Sequence, residues 1–167
     1  MTHVLFVCLH NAGRSQISRA LFAHAAAGRH TADSAGSVAD PSGHVHPQVV
    51  AVMRELGIDL PDRRPRRLTN ELAEQADVIV TMGCGDSCPY FPGKRYVDWD
   101  LPDPNGQPVD AVRVLRDEIG RRVDGLVAEL DASSSAIRRP ASVRPQRDAH
   151  SVQGGAQARG TPAAALP

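Results

Sequence analysis

The sequence VLFVCLHNAGRS, residues 4–15, decides the fold of this chain. It opens with four apolar residues, three of them β-branched or aromatic, which predict a buried strand that ends at Cys8. A polar loop with one glycine follows, and a helical pattern begins at Ser15. A strand, a tight loop and a helix N-terminus together bind oxyanions, because the loop N–H groups converge and the helix dipole adds partial positive charge.

Two side chains in this stretch carry chemistry. The planar guanidinium of Arg14 can hold two oxygens of a tetrahedral anion. The same positive surroundings favour the thiolate form of Cys8, which is the nucleophilic form. A cysteine that merely ends a core strand is the structural alternative. The preceding strand, Ser15 and the helix favour the nucleophile.

Composition and charge limit the function classes. The 167 residues suffice for one domain, and the formal net charge is zero. Residues 133–167 hold five arginines and one aspartate, which leaves 14 basic and 18 acidic residues in 1–132. An acidic domain argues against nucleic acid as a partner.

The expected location is the cytoplasm, without membrane association. The sequence contains no apolar run long enough to span a membrane, and its first residues lack a signal-peptide pattern. Three cysteines in such a chain indicate thiol chemistry or metal binding more than a disulfide scaffold. A metal is not expected, because the loop histidines His44 and His46 have no third ligand nearby in sequence.

Hydrophobic periodicity predicts an α/β fold, a four-stranded parallel sheet flanked by helices. A short helix with Thr69 as its N-cap is also predicted. After Ala132 the sequence is rich in Ser, Ala, Pro and Arg, so residues 133–167 are predicted to form a disordered tail behind a domain of residues 1–132. The other predicted elements are strands at 2–7, 30–35, 77–82 and 95–99, and helices at 15–27, 47–56 and 109–130.

The carboxyl ends of parallel strands share one edge of the sheet, and active sites of α/β proteins lie there. Cys8, the loop that holds Cys84 and Cys88, and Asp103 each follow a predicted strand. We therefore expect these side chains to meet at that edge.

Residues 8–15 resemble the Cys-x5-Arg-Ser/Thr loop of the low-molecular-weight protein tyrosine phosphatases, with Asn11 at the matching asparagine. Asp103-Pro104 resembles the general-acid Asp-Pro of that family, and residues 34–36 and 57–59 resemble further family segments. The resemblance covers about residues 2–130. It implies a phosphatase-like fold and an oxyanion-binding loop formed by Leu9, His10, Asn11, Ala12, Gly13 and Arg14.

Within this superfamily the sequence is more similar to the arsenate reductases. Asn105 and Gly106 follow the Asp-Pro where the phosphatases carry tyrosines, and Gly13 stands where they carry a second cysteine. Residues 82–89, MGCGDSCP, are similar to the loop in which thioredoxin-coupled arsenate reductases carry two redox cysteines. The spacing of the pair is shorter than in the best-known members, but a turn would still permit a disulfide.

The resemblance implies no bound cofactor and no metal. Some relatives hold a potassium ion with acidic side chains, and by spacing Arg19 and Arg66 occupy those positions here. The implied catalytic residues are Cys8, Arg14, Ser15, Cys84, Cys88 and Asp103.

The implied activity is reduction of arsenate to arsenite in arsenic detoxification. Cys8 would attack arsenate while Asp103 protonates the leaving hydroxide, and Ser15 would hydrogen-bond the sulfur. Cys84 and then Cys88 would take over the oxidation as successive disulfides. An external thiol donor, thioredoxin or mycothiol with mycoredoxin, would reduce the final disulfide.

Three alternatives stay open. The chain could be a low-molecular-weight protein tyrosine phosphatase whose Cys84 and Cys88 only protect it from oxidation, or a mycothiol-dependent arsenate reductase. It could also be a non-catalytic oxyanion or thiol-metal sensor, although two thiolates are too few for a closed zinc site. Phosphate and arsenate are nearly isosteric, so the loop alone does not separate them, and the cysteine pair favours the reductase.

Overall fold

The computed structural model describes residues 1–60 and 63–138. Gly85–Ser87 forms a single 3-10 turn between the third and fourth strands. The other elements, in chain order, are β1 (His3–Cys8), α1 (Arg14–Ala26), β2 (Thr31–Gly36), α2 (Pro47–Arg54), α3 (Asn70–Gln75), β3 (Val78–Thr81), β4 (Arg95–Asp98) and α4 (Val109–Arg138).

The four strands form one parallel sheet in the order β2-β1-β3-β4. β1 lies inside the sheet, where Val4 pairs with Ala32 of β2 and with Val78 of β3. Because all strands run in one direction, their carboxyl ends lie along one edge. The predicted fold class is confirmed.

β1 is buried on both faces, and its alternating side chains feed two apolar clusters. Val4, Phe6 and Cys8 pack with α1, α2 and α4 in the larger cluster. Leu5 and Val7 pack with α3 in the smaller one. Burial on both faces explains why β1 reads as a continuous apolar run and not as an alternating one.

The last helix is longer than predicted. α4 continues to Arg138, beyond the predicted end at residue 130. The predicted tail from residue 133 was therefore wrong for residues 133–138, and its remainder, residues 139–167, lies outside the described residues. Neither α4 nor any other helix in the described part of the chain is long and apolar enough to cross a membrane.

The serine-rich end of α4 makes hydrogen bonds within the helix and to residues outside it. The hydroxyls of Ser133 and Ser135 donate to the carbonyl oxygens four residues earlier, at 3.0 Å in both cases. The Asp131 carboxylate accepts from Arg29 Nε at 3.1 Å and lies 3.0 Å from Nε2 of the buried His30. The Asp131 contacts join the end of α4 to the residues just before β2. Amino-acid composition, on which the predicted tail rested, carries no information about such contacts.

Candidate active site

Cys8 ends β1, and its thiol lies at the carboxyl edge of the sheet. The residue is only 2% exposed, and the thiol is free. The backbone N–H of Asn11 donates to Cys8 Sγ at 3.3 Å, and Ser15 Oγ lies 2.9 Å from the same sulfur. Donors aimed at a sulfur stabilise negative charge on it.

Asn11 gives the loop after β1 its shape. Its φ is 53°, in the left-handed region that asparagine tolerates better than most residues. Its side-chain Nδ2 donates to Ser15 Oγ at 2.7 Å, and its Oδ1 accepts from the backbone N–H of Arg66 at 2.8 Å. The side chain therefore links the loop to the segment before α3.

Residues 8–15 are here called the cradle. Several carbonyl groups of the cradle point away from its centre. The Cys8, Leu9 and Ala12 carbonyls accept hydrogen bonds from the backbone N–H groups of Ser37, Val38 and His46, at 2.9 to 3.0 Å. The first turn of α1 begins at Arg14, within the cradle, and its free N–H groups add to the positive end of the helix dipole. The arrangement suits a tetrahedral oxyanion.

Bare backbone lets β2 approach the cradle. A β-carbon on Gly36 would lie 2.6 Å from the carbonyl oxygen of Leu9 and 2.8 Å from the backbone nitrogen of Asn11. Any larger residue at position 36 would push the cradle off the sheet edge.

Arg14 is 5% exposed, and two loops hold its guanidinium. Its Nη1 donates to the carbonyl oxygen of Leu101 at 3.1 Å, and its Nη2 lies 3.6 Å from Asp103 Oδ2. Gly83 lies against the same group, since a β-carbon there would be 2.6 Å from Nη1. A fork held on several sides is preorganised for an anion.

Asp103 stands at the open side of the cradle. Its side chain is 44% exposed, and its Oδ1 accepts from the backbone N–H of Asn105 at 3.0 Å. The adjoining Pro104 is buried over Gly13. The carboxyl group is thus open to water and lies beside the guanidinium that would hold an anion, which places it within reach of a bound anion as a proton donor.

His46 also lies at the cradle. Its ring lies near Gly13, where Cδ2 would be 3.4 Å from an added β-carbon, and its backbone N–H donates to Ala12. Burial lowers the pKa of the ring below its ordinary value, the Asp103 carboxylate opposes that shift, and His10 reinforces it. Burial therefore favours the neutral imidazole form of His46.

Cys84 and Cys88 are joined by a disulfide, with their Cα atoms 5.6 Å apart across the 3-10 turn. The implied pairing of these two cysteines is confirmed. Cys84 is 5% exposed and packs in the smaller cluster with Leu5 and Val7, whereas Cys8 packs in the larger one. The disulfide and the free thiol therefore contact different faces of the sheet.

An open cavity of about 530 Å³ lies beside the disulfide. Cys88, half-buried, faces it together with Cys84. One wall is a stacked pair of rings, Tyr90 and Tyr96, with centroids 5.1 Å apart, and Tyr90 is 72% exposed. An exposed aromatic beside a disulfide offers contact area to an incoming molecule.

The two arginines at the possible ion positions surround an aspartate. Arg19 Nε and Arg66 Nη1 lie 4.0 Å and 3.6 Å from Asp33 Oδ1. Within residues 1–60 and 63–138, no three His, Cys, Asp or Glu side chains gather closely enough to hold a metal ion.

The family model for low molecular weight phosphotyrosine protein phosphatases matches residues 3–136, which is most of the chain and nearly all of its described part. The chain belongs to this family.

Among family members, several reductases are similar to this chain. A candidate arsenate reductase of Halobacterium salinarum is 40% identical over 129 residues, which cover 75% of this chain and 91% of that protein. The glutaredoxin arsenate reductase of Synechocystis is 33% identical over 133 residues, covering 78% and 99%. The solved thioredoxin-dependent arsenate reductase of Corynebacterium glutamicum aligns with a TM-score of 0.67 at 38% identity, and the match covers 80% of this chain but only 63% of that one.

Four of the six predicted catalytic residues lie together in this structure. Cys8, Arg14 and Ser15 belong to the cradle, and Asp103 lies beside it. Of the predicted binding residues, Asn11, Ala12 and Gly13 are buried in the cradle, Leu9 is half-buried and the His10 side chain is exposed. Two neighbours of the cradle, His46 and Gln16, were not predicted as site residues. The motif HVHP before α2 was a signal for His46, while Gln16 stands beside Ser15 without any motif of its own.

Proposed function

We propose that this protein is an arsenate reductase that passes electrons from an external thiol through Cys88, Cys84 and Cys8 to arsenate. One observation carries the proposal. The disulfide between Cys84 and Cys88 follows β3, and β3 pairs with β1, the strand that ends at Cys8. Phosphate ester hydrolysis needs no electrons, so in a phosphatase such a pair would serve only as protection from oxidation. The names of the similar proteins from Halobacterium and Synechocystis support the same activity.

The first half of the reaction uses the cradle. Arsenate binds to the loop N–H groups and to Arg14, and the Cys8 thiolate attacks arsenic. An As–S bond forms while hydroxide leaves and takes a proton from Asp103, so that water departs. The nearness of Asp103 to Arg14, at 3.6 Å, supports this assignment.

The second half moves two electrons. The Cys84 thiolate attacks Cys8 Sγ, the As–S bond breaks with its electron pair on arsenic, and arsenite leaves with arsenic reduced from +5 to +3. The Cys8–Cys84 disulfide is then attacked by the Cys88 thiolate, which frees Cys8. The product is the Cys84–Cys88 disulfide seen in the structure.

This relay requires Cys84 to change position, because it packs on the other side of the sheet from Cys8. Gly83 and Gly85 flank Cys84 with φ values of 67° and 48°. Glycine reaches such conformations without a steric penalty, so the segment can turn Cys84 toward the cradle.

Electrons enter at Cys88, the more exposed of the two cysteine residues. The incoming thiol occupies the cavity beside Tyr90, attacks Cys88 and releases Cys84. Thioredoxin is the reductant we propose, because a pair of redox cysteines suits a dithiol donor. Mycothiol with mycoredoxin is the alternative, and the cytoplasm, where such donors are reduced, is the proposed location.

A phosphatase is the second candidate, because Arg14 and Asp103 would serve a phosphate monoester equally well. The residues after Asp103 speak against a phosphotyrosine substrate. Asn105 and Gly106 are exposed and offer no aromatic wall to a substrate ring.

Arsenite release from arsenate is the test. The purified protein is assayed with thioredoxin and thioredoxin reductase, and separately with mycothiol and mycoredoxin. Turnover with thioredoxin supports the three-cysteine relay, and turnover only with mycothiol limits the chemistry to Cys8. Hydrolysis of an aryl phosphate without any arsenite formation would assign the protein to the phosphatases.

A further inference from the structure

Gln16, the third residue of α1, lies behind the cradle and is 2% exposed. Its Nε2 is 3.1 Å from the backbone oxygen of Asn11 and 3.0 Å from Asn11 Oδ1. The carbonyl oxygen of Arg64 lies 3.3 Å away. All three oxygens only accept hydrogen bonds, so the nitrogen end of the Gln16 amide faces them. A single amide therefore holds both the backbone and the side chain of Asn11.

Asn11 reaches the Cys8 sulfur by two routes. The direct route is its own N–H, at 3.3 Å, which points at Sγ because the backbone is in the left-handed region. The indirect route runs from Asn11 Nδ2 to Ser15 Oγ at 2.7 Å and from Ser15 Oγ to Cys8 Sγ at 2.9 Å. Since Nδ2 only donates, the Ser15 oxygen accepts, and its own proton is left for the sulfur.

The direction of this chain depends on which end of the Asn11 amide faces Ser15. Gln16 Nε2 and the N–H of Arg66 both donate to Asn11 Oδ1, at 3.0 Å and 2.8 Å. With Oδ1 engaged there, Nδ2 must face Ser15. Were the amide reversed, Oδ1 would accept the Ser15 proton, and that proton would no longer reach Cys8.

Stability alone does not explain a glutamine at this position. Among residues 1–60 and 63–138, no group donates to Gln16 Oε1, which is buried. An unpaired buried acceptor costs free energy, and methionine would fill nearly the same volume without that cost. Donation to Asn11 and to the Arg64 carbonyl is what a glutamine contributes that methionine does not, and only the bonds to Asn11 lead on to Cys8.

We propose that Gln16 is a positioning residue for the Cys8 thiolate, which it serves by holding Asn11 so that the Asn11 N–H and the Ser15 O–H both donate to Sγ. The inference rests on the part of the proposed function that makes Cys8 the nucleophile. Gln16 does not touch substrate and acts only through Asn11 and Ser15.

The test follows Cys8 alone. In a Cys84→Ser/Cys88→Ser background Cys8 is the remaining cysteine, and its alkylation rate by iodoacetamide is measured against pH. Gln16→Met is expected to move the profile to higher pH and to lower the rate at pH 6.5 about tenfold, because donors to the thiolate are lost. Gln16→Glu is expected to do more, since its carboxylate would face acceptor oxygens and add negative charge behind the cradle.

Gln48→Met is the matched control. Gln48 also donates to a backbone carbonyl, that of Gln107 at 3.4 Å, and within residues 1–60 and 63–138 it forms no hydrogen bond with Asn11. Its alkylation profile is expected to match that of the Cys84→Ser/Cys88→Ser parent. Ile17→Val, a core change in the same helix, shows what a loss of stability alone does to the profile.

Unchanged alkylation profiles in both folded Gln16 variants would overturn the proposal. If circular dichroism shows that Gln16→Met is unfolded, Gln16→Glu decides in the same way, and unfolding of both would make Gln16 a structural residue and end the proposal. The alkylation assay needs no arsenate. If the parent protein forms no arsenite, the proposed function is wrong, but the alkylation profiles still test the role of Gln16.

Discussion

Pro104 lies so close over Gly13 that a β-carbon on residue 13 would come within 2.4 Å of Pro104 Cγ. The loop after β4 therefore packs against the cradle at Gly13, where the cradle has no side chain. This contact sets the position of Asp103, whose carboxylate lies 3.6 Å from Arg14 Nη2. The missing side chain at Gly13 thus lets Pro104, and with it Asp103, lie close to the anion site.

Gly13→Ala is expected to lower kcat for arsenate reduction at least about tenfold, because the new methyl group displaces Pro104 and carries Asp103 away from the leaving oxygen. Steady-state arsenite release measures the effect. Gly125→Ala is the control, since nothing lies within 4 Å of a β-carbon there. That change lies in the interior of α4 and is expected to leave activity intact and to raise stability by about 0.5 to 1 kcal/mol. Full activity of Gly13→Ala would contradict the role of the contact.

Ser15→Ala is expected to slow the attack of Cys8 on arsenate by about tenfold to a hundredfold, because the hydroxyl 2.9 Å from the sulfur is lost. Rapid-quench measurement of the first arsenite formed follows the attack of Cys8 and the attack of Cys84 that releases arsenite, and it leaves out the later reduction of the disulfide. Ser18→Ala is a suitable comparison, since Ser18 is equally buried and donates to the Arg14 carbonyl at 2.8 Å without reaching Cys8. Equal rates in the two variants would show that Ser15 does not support the thiolate.

His46 makes stability depend on pH. Burial lowers its pKa in the folded chain, with Asp103 opposing and His10 reinforcing the shift. The unfolded chain therefore binds the proton more readily, so the stability that His46 contributes is complete above its ordinary pKa of 6.5 and is lost as the pH falls below it. Relative to His46→Gln, the parent should lose free energy of unfolding between pH 7.5 and pH 5.5.

Urea unfolding at the two pH values tests this sign, and His24→Gln, at an exposed histidine on α1, is the comparison. A difference between the parent and His46→Gln that stays constant, or that grows toward low pH, would contradict the assignment.

The sheet and the cradle could be predicted because their signals are local. The apolar run of β1, the loop with Gly13 and the first turn of α1 are contiguous, so hydrophobic pattern and turn chemistry locate them together. Asp103 and the cysteine pair could be assigned to the same sheet edge because parallel strands share one direction.

The contacts that were missed join segments far apart in sequence. Gln16 and Asn11 meet the backbone of residues 64–66, and nothing in that basic stretch indicates that it returns to the cradle. His46 reaches Gly13 only because α2 begins beside Ala12. The end of α4 was missed for the same reason, because Asp131 contacts Arg29 and His30, more than 100 residues earlier in the sequence.

The most direct test of the relay is one turnover of Cys88→Ser. This variant, fully reduced and mixed with excess arsenate and thioredoxin, should release one arsenite per chain and stop, because the Cys8–Cys84 disulfide has no third thiol to resolve it. Peptide mass spectrometry should find Cys8 joined to Cys84. Continued arsenite release, or a stalled enzyme without that disulfide, would contradict a relay through Cys8, Cys84 and Cys88.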